Sequence, residues 1–397
     1  MLARTIAAIP ASAISSIFDQ ATALREGGRD LVDFSIGEPD FDTPAHICEA
    51  GAQAIADGIT RYTSTDGTAA LKDAIARKFL RDNGLKFSRA EIVVGAGAKP
   101  LLATAVQAVI NPGEEAILTS PAWTSHLGML QLAGARPVLL ETNLEGNFKL
   151  TASALEAAIT PATRLLILCS PSNPTGAVYS AEQLQALAEV LRRHPQVLVI
   201  SDDLYEHIVF DGREFATLAA VAPDLSKRVL TVNGVSKAYA MTGWRIGFGG
   251  GPKWWTDGIR LIFSQNNGGP CSISQIAATA ALDGPREFLA DWRDIYRRRR
   301  DLAVAGINNI DGLRARAPEG AFYIMPDCGG LIGKCRPDGQ IIESSTDLAA
   351  WFLDAGVVVV PGAGFSCDPY FRLSIALSEA EIKRGLQRMA AACDILK

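Results

Sequence analysis

Five short apolar runs, residues 92–94, 116–118, 165–168, 197–200 and 229–232, punctuate the middle of the chain, and small or polar residues follow each one at once. Each run has the length and the β-branched or bulky composition of a buried strand. Around and between them, residues 45–57, 68–83, 99–110 and 181–193 carry helical spacing. Strands that read as unbroken apolar runs and alternate with helices predict a mostly parallel sheet covered on both faces. After residue 285 the pattern changes. A helical stretch over 285–307 precedes the segment Pro318-Glu319-Gly320-Ala321-Phe322-Tyr323, a helix near 346–355, a strand over 357–360 and a last helix from Ser378. That order predicts a second, smaller α+β unit. Periodicity leaves the packing of the segment before residue 45 open.

A chain of 397 residues exceeds one ordinary core, so two or three domains are expected. No apolar run reaches the ~18 residues of a membrane helix, and residues 1–10 lack the apolar centre of a leader peptide. A net charge of −5 disfavours nucleic acid as a partner. The densest basic run, Arg297 to Arg300, lies among Asp291, Asp294 and Asp301 and reads as a solvated helix face. The seven cysteines contain no Cys-x-x-Cys pair, so neither a disulfide framework nor a zinc knuckle is expected. Free thiols and the missing leader point to the cytoplasm. The four histidines fall outside any metal-ligand motif, and His207 reads as structural.

In an open parallel sheet, ligands bind beyond the carboxyl ends of the strands. The residues just after each apolar run therefore carry the functional information. Gly95-Ala96-Gly97-Ala98-Lys99 leads into a helix and suits either an anion or a plain tight turn. Pro100 spoils a dinucleotide fingerprint there. Trp123 could stack on a flat ligand or cover the sheet edge. The loop Ser170-Pro171-Ser172-Asn173-Pro174-Thr175-Gly176 is rigid and aims Asn173. Asp202-Asp203 places two acids directly behind a buried strand, where a carboxylate must be solvated or paired. Lys237 follows the last run, and a desolvated lysine there has a lowered pKa and a reactive amine. An anion cradle, an aromatic plate, an amide, a carboxylate, a phenol and an amine suit a planar phosphorylated heterocycle with a carbonyl and a ring nitrogen. Pyridoxal phosphate is such a molecule.

The segments Gly37-Glu38-Pro39-Asp40-Phe41-Asp42-Thr43-Pro44, Arg61-Tyr62, Ser170 to Gly176, Ser201-Asp202, Ser236-Lys237, Gly243-Trp244-Arg245-Ile246-Gly247, Gly320-Ala321-Phe322-Tyr323 and Phe371-Arg372-Leu373-Ser374 stand in this order. Together they resemble class I (fold type I) aminotransferases, most closely bacterial aspartate aminotransferases, over almost the whole chain. The Ser-Lys followed eight residues later by Arg245, and the Asn-Pro-Thr-Gly loop, are the most specific parts.

The resemblance implies the α/β fold of these pyridoxal 5′-phosphate transferases, with a mostly parallel seven-stranded sheet. It implies a large domain over 45–285 and a small α+β domain made of 1–44 and 286–397. It implies a ping-pong transfer of an amino group between an L-amino acid, foremost aspartate, and a 2-oxo acid, foremost 2-oxoglutarate. Lys237 would anchor the cofactor and shuttle the substrate's α-proton, and Asp202 would hold the pyridine nitrogen protonated. Tyr205 and Asn173 would bond the phenolic oxygen, and Trp123 would stack on the ring. Gly97, Ala98 and Arg245 would cradle the phosphate, with Lys99 beside them. Tyr62 would reach the phosphate of a neighbouring subunit, making a homodimer with shared sites. Arg372 would fork onto the substrate α-carboxylate, near Gly37, Trp123 and Asn173.

Three departures from the family pattern stand out. Gly234 occupies a place where many members have a phosphate-touching hydroxyl, Lys99 has no fixed role, and no second base for a side-chain carboxylate is assignable. Aromatic amino acids or prephenate are alternative substrates. A non-catalytic ligand sensor on the same fold is the reading from another class, and the short segment before residue 30 leaves no room for a DNA-binding domain. A nicotinamide dehydrogenase is the remaining rival, and Pro100 with the missing acidic ribose partner makes it a poor one.

Overall fold

The structure is a computed structural model and describes residues 13–397 together with Ile6. The rest of residues 1–10, read above for a leader, lies outside the described residues. No helix among the described residues is long and apolar enough to cross a membrane.

Among the described residues, twelve strands form three sheets. The central sheet holds β2 (Ile92–Gly95), β3 (Glu115–Ser120), β4 (Arg136–Glu141), β5 (Thr163–Cys169), β6 (Leu198–Asp202), β7 (Val229–Gly234) and β8 (Gly247–Gly250), in the order β2-β8-β7-β6-β5-β3-β4. The neighbours from β4 to β7 pair in parallel, and β8 runs antiparallel to both β2 and β7. All five apolar runs are strands of this sheet. Successive side chains go to opposite faces: Leu166 and Leu168 join one buried cluster, whereas Leu165 and Ile167 join another. Both clusters are covered by helices, which is why these strands carry no polar alternation. Each fully buried Leu or Ile contributes roughly 1.5–3 kcal/mol over its exposed state.

The helices follow their sequence signals closely. Ala69–Asn83 starts at Thr68, whose side chain accepts from Leu71 N–H, and ends at Gly84, which has φ 67°. Ala181–Arg193 opens with a capping box of Ser180 and Gln183, and buries the stripe Leu184, Leu187, Ala188 and Leu191. The helices Ala45–Ala56 and Ala98–Gln107 also lie where spacing predicts them.

Two strands of the central sheet were missed in the sequence. β4 lies at the sheet edge and is only half-buried, and its run Val138-Leu139-Leu140 stands directly after Pro137, which argues against a central strand. β8 reads Gly-Phe-Gly-Gly, with almost no side chains to show a period. Its glycines are demanded by packing. A Cβ on Gly247 would lie 2.2 Å from the Ala98 nitrogen and 2.4 Å from the Gly97 carbonyl carbon, and one on Gly250 would meet the Phe87 ring at 2.4 Å.

The segment 357–360 is not one strand. β10 (Val357–Val358) pairs in parallel with β1 (Val32–Asp33), whereas β11 (Val360–Pro361) joins β12 (Phe371–Ser374) and β9 (Tyr323–Ile324) in an antiparallel sheet. The chain turns between sheets at Val359, which an apolar run conceals. Pairing of β1 with β10 settles where the early segment packs, next to the C-terminal elements. The long helix Phe288–Asn308 closes this side, and its basic run departs from the expected solvated face. Arg299 and Arg300 are buried, in bidentate pairs with Asp40 (2.7 and 2.8 Å) and Asp211 (2.6 and 2.9 Å). Their partners are distant in sequence, so the run looked solvated.

Gly247→Ala is expected to destabilise the chain by about 1–3 kcal/mol, the usual cost of overpacking. Chemical denaturation checks this, and an unchanged midpoint would mean that β8 and the Gly97 turn can move apart freely.

Candidate active site

A cavity of about 320 Å³ lies at the carboxyl ends of the central strands. Ten of the twelve residues singled out from the sequence line it: Gly37, Ala98, Lys99, Trp123, Asn173, Asp202, Tyr205, Lys237, Arg245 and Arg372. Gly97 sits in the turn beneath, and Tyr62 lies elsewhere, with 99% of its surface exposed.

Lys237 follows β7 and donates from Nζ to the Gly37 carbonyl at 2.6 Å. Burial, joined by the cations Arg372, Arg245 and Lys99 against the opposing pull of Glu38, lowers its pKa to about 8. Asp202 ends β6 and is buried, and its Oδ2 lies 3.0 Å from His126 Nε2. Its Oδ1 has no partner among the described residues. A buried carboxylate oxygen of this kind calls for a donor, and the cavity is where one can come from. The neighbouring Asp203 accepts from Ser201 Oγ at 2.7 Å, and burial raises its pKa to about 7. The acid pair thus divides its work, one carboxylate lining the cavity and the other bound inside the fold.

Arg372, on β12, is fully buried. Nη1 donates to Asn173 Oδ1 at 3.0 Å and Nη2 to the Ser35 carbonyl at 2.7 Å. Its guanidinium lies 4.5 Å from the Tyr323 ring centre and 5.2 Å from that of Phe365. Nε has no partner among the described residues. Because Arg372 engages Asn173 through Oδ1, the Asn173 amide donors remain for a ligand. The Tyr205 hydroxyl meets that of Tyr323 at 2.9 Å.

Gly97 has φ 104°, and a Cβ on it would meet Arg245 Nη2 at 2.3 Å, so only glycine lets the guanidinium close over this turn. Helix Ala98–Gln107 begins here, and its first backbone N–H groups have no helical partner. An anion is stabilised at such a place. Gly234, the departure from the family pattern, is tightly packed: a Cβ there would stand 3.1 Å from both the Ile246 carbonyl and Leu204 Cδ1. Ser236 lines the cavity and presents a hydroxyl two residues on. Trp123 is half-buried, meets the His126 ring edge-on at 5.0 Å, and carries Lys99 Nζ at 5.1 Å from its ring centre. Desolvation, and behind it Arg245, lowers the Lys99 pKa.

Several groups in or behind the cavity wall escaped the sequence reading. His126, behind Asp202, lies three residues after Trp123, with no motif around it. Tyr323 stood inside a quoted segment without a role, and Thr242, whose Oγ1 donates to Glu38 at 2.8 Å, gave no signal. His207 belongs instead to a buried group of Asp82, Glu206 and His207, whose carboxylates already pair with Lys78 and Arg286.

A lowered lysine amine, an unpaired carboxylate oxygen, an anion-accepting turn and a guanidinium fork make this a cavity for a flat, anionic ligand held through an amine. Residues 29–389 match the family Aminotransferase class I and II, and the chain belongs to that family. It is 50% identical over 395 residues to an aspartate aminotransferase of Rhizobium meliloti strain 1021, covering 99% of this chain and 96% of the relative. It is 47% identical to an aspartate/prephenate aminotransferase of Cereibacter sphaeroides, covering 99% of this chain and 98% of the relative. The crystal structure of an aspartate aminotransferase from Rhizobium meliloti superposes with a TM-score of 0.97 at 49% identity, covering 100% of both chains.

The lysine assignment has a direct check. Its folded pKa lies below that of free lysine, so between about 8 and 10.5 the unfolded chain holds the proton that the folded chain has lost. Folded stability therefore rises with pH across this window. In the cofactor-free chain, Lys237→Met should abolish that rise and leave the protein more stable at pH 7, as followed by denaturant unfolding at several pH values. A slope identical to wild type would show that Lys237 titrates normally.

Proposed function

We propose that the chain is a pyridoxal 5′-phosphate aminotransferase that exchanges the amino group between L-aspartate and 2-oxoglutarate. The observation that carries this reading is one cavity holding Lys237 with its lowered pKa, the unpaired Asp202 Oδ1 and the Arg372 fork. The residues present fit the cofactor: Asp202 Oδ1 suits a protonated ring nitrogen, and the Gly97 turn suits a phosphate. When bound, the cofactor supplies a carbonyl that takes up an amino group and a ring that accepts electrons from the substrate α-carbon.

Lys237 would anchor the cofactor, and its amine would hold and move the proton of the substrate α-carbon. In the protein alone its pKa is already lowered to about 8, mainly by burial. Asp202 would hold the ring nitrogen's proton, its other oxygen being fixed by His126. Tyr205 and the Asn173 amide would donate to the ring's phenolic oxygen, and Trp123 would cover the ring. Ala98 N–H, Ser236 and Arg245 would take the phosphate at the Gly97 turn. Arg372 receives the α-carboxylate beside Gly37, a planar two-point task that a lysine performs poorly.

Lys99 supplies the second base absent from the sequence reading. With Lys237, Arg245 and Arg372 assigned, it is the cation left in the cavity for a substrate side-chain carboxylate. Prephenate, which also carries two carboxylates, is a second substrate reading, favoured by the 47% identical relative named for both activities.

The active form is a homodimer in which Tyr62 reaches the partner's phosphate. Supporting this, Tyr62 is fully exposed, and Ile59 (40% exposed) and Leu261 (67%) are exposed apolar side chains on neighbouring segments. Ser272 Oγ bonded to the Ile59 carbonyl (2.8 Å) and Arg260 bonded to Asp66 (2.6 Å) bring these segments together. The unit over 45–285 and the unit formed by the described residues before 45 with 286–397 are the two bodies between which the cavity opens, the first supplying Lys237 and Asp202 and the second Gly37 and Arg372. A reducing cytoplasmic setting suits seven unpaired cysteines.

Lys237→Ala should show no turnover and should lack the absorbance band that lysine-bound cofactor has and free cofactor does not, and normal turnover would refute the assignment. Lys99→Ala should lower kcat/KM for aspartate by about tenfold, the order of one charged contact, while sparing a monocarboxylate donor such as alanine. An equal loss for both donors would remove Lys99 from side-chain recognition.

A further inference from the structure

Tyr323 stands on β9 beside Arg372 of β12 and is only 1% exposed. Its ring faces the Arg372 guanidinium at 4.5 Å. Its hydroxyl lies 2.9 Å from that of Tyr205 and 3.5 Å from the Gly37 carbonyl. The same carbonyl accepts from Lys237 Nζ at 2.6 Å. One side chain therefore touches the carboxylate fork with its face, and both the cavity phenol and the lysine's anchor with its hydroxyl.

Counting protons shows what this arrangement does. A phenol has one proton to donate. Burial holds both phenols above the ordinary tyrosine pKa, so both are neutral near pH 7. If Tyr323 donates to Gly37, Tyr205 must spend its proton on Tyr323 and has none for a ligand. If Tyr323 donates to Tyr205, the Tyr205 proton faces the cavity and the Gly37 carbonyl is left to Lys237. The contact to Gly37 is long and weak beside the contact to Tyr205, so the second arrangement is favoured. A phenol that accepts a hydrogen bond also donates more strongly.

We propose that Tyr323 is a positioning residue: its hydroxyl turns the Tyr205 proton toward the cofactor's ring oxygen, while its ring holds the Arg372 fork in place. The inference rests on the proposed function, in which Tyr205 donates to that oxygen. It divides the side chain into two separable parts. Tyr323→Phe removes the hydroxyl and keeps the ring against Arg372. Tyr323→Leu removes both.

The experiment compares wild-type, Tyr323→Phe and Tyr323→Leu holoenzymes in three ways: the pH titration of the bound cofactor's visible absorbance, the Kd for maleate (a dicarboxylate with no amino group to transfer), and kcat and KM with aspartate. With weaker donation from Tyr205, the proton shared by the ring oxygen and the lysine nitrogen is held more tightly. The absorbance midpoint of Tyr323→Phe should rise by roughly half a unit, the order of one neutral hydrogen bond. Its kcat should fall by about threefold, while the maleate Kd stays within about twofold. Tyr323→Leu should show the same upward midpoint and, in addition, a maleate Kd raised by about tenfold through loss of the stacked ring. A Phe variant with the wild-type midpoint and kcat overturns the proposal, and so does one that loses maleate as heavily as Leu. A wild-type chain that takes up no chromophore overturns the underlying functional reading, and this inference with it.

Discussion

β8 sets the spacing of the whole site. Hydrogen-bonded antiparallel between β2 and β7, it fixes the distance from the Gly97 turn after β2 to the Lys237 loop after β7. The chain then places Arg245 two residues before β8, with φ 58°, so that its guanidinium closes over Gly97. Any side chain on Gly247 would drive the two loops apart. Gly234 is crowded too, since a Cβ there would press on the Ile246 carbonyl and on the Leu204 side chain. The Ala98 N–H, Ser236 and Arg245 stand at the cavity as groups suited to an anion.

The cavity's electrostatics follow from that geometry. Four cations line it, Lys99, Lys237, Arg245 and Arg372, against the single carboxylate of Asp202. Burial does most to lower the Lys237 pKa, the neighbouring cations add to it, and Glu38 opposes them. Arginine keeps its proton at physiological pH, so the lysine is the group that yields. A phosphate and two carboxylates would give Arg245, Arg372 and Lys99 one anionic partner each, which is the charge pattern of a phosphorylated cofactor with a dicarboxylic substrate. Asp202 keeps its place among these cations by its bond to His126, leaving one oxygen for the ligand.

Much of this was legible in the sequence because the strands are covered on both faces. Uninterrupted runs such as 165–168 and 197–200 announce themselves, and the residues just beyond them form the cavity wall. What was hidden lacked either a periodic side chain or a local partner. β8 is nearly all glycine and β4 is a half-buried edge strand. His126 acts on a carboxylate 76 residues away, and Arg299 and Arg300 pair with acids distant in sequence. Lys99 was visible, but only the assembled cavity shows that the other three cations have separate places. Tyr323 was visible as part of a familiar segment, yet its contacts arise where β9 meets β12 and where the early segment carrying Gly37 packs against both. Such meetings are tertiary and leave no trace in spacing.

The most direct test of the account is an absorbance spectrum of the purified protein, followed by L-aspartate with no oxo acid present. The account predicts a visible band from cofactor held at Lys237, converted by aspartate alone to the spectrum of the aminated cofactor. A protein that shows no band even after pyridoxal 5′-phosphate is supplied would contradict the claim that Lys237 is the centre of this site.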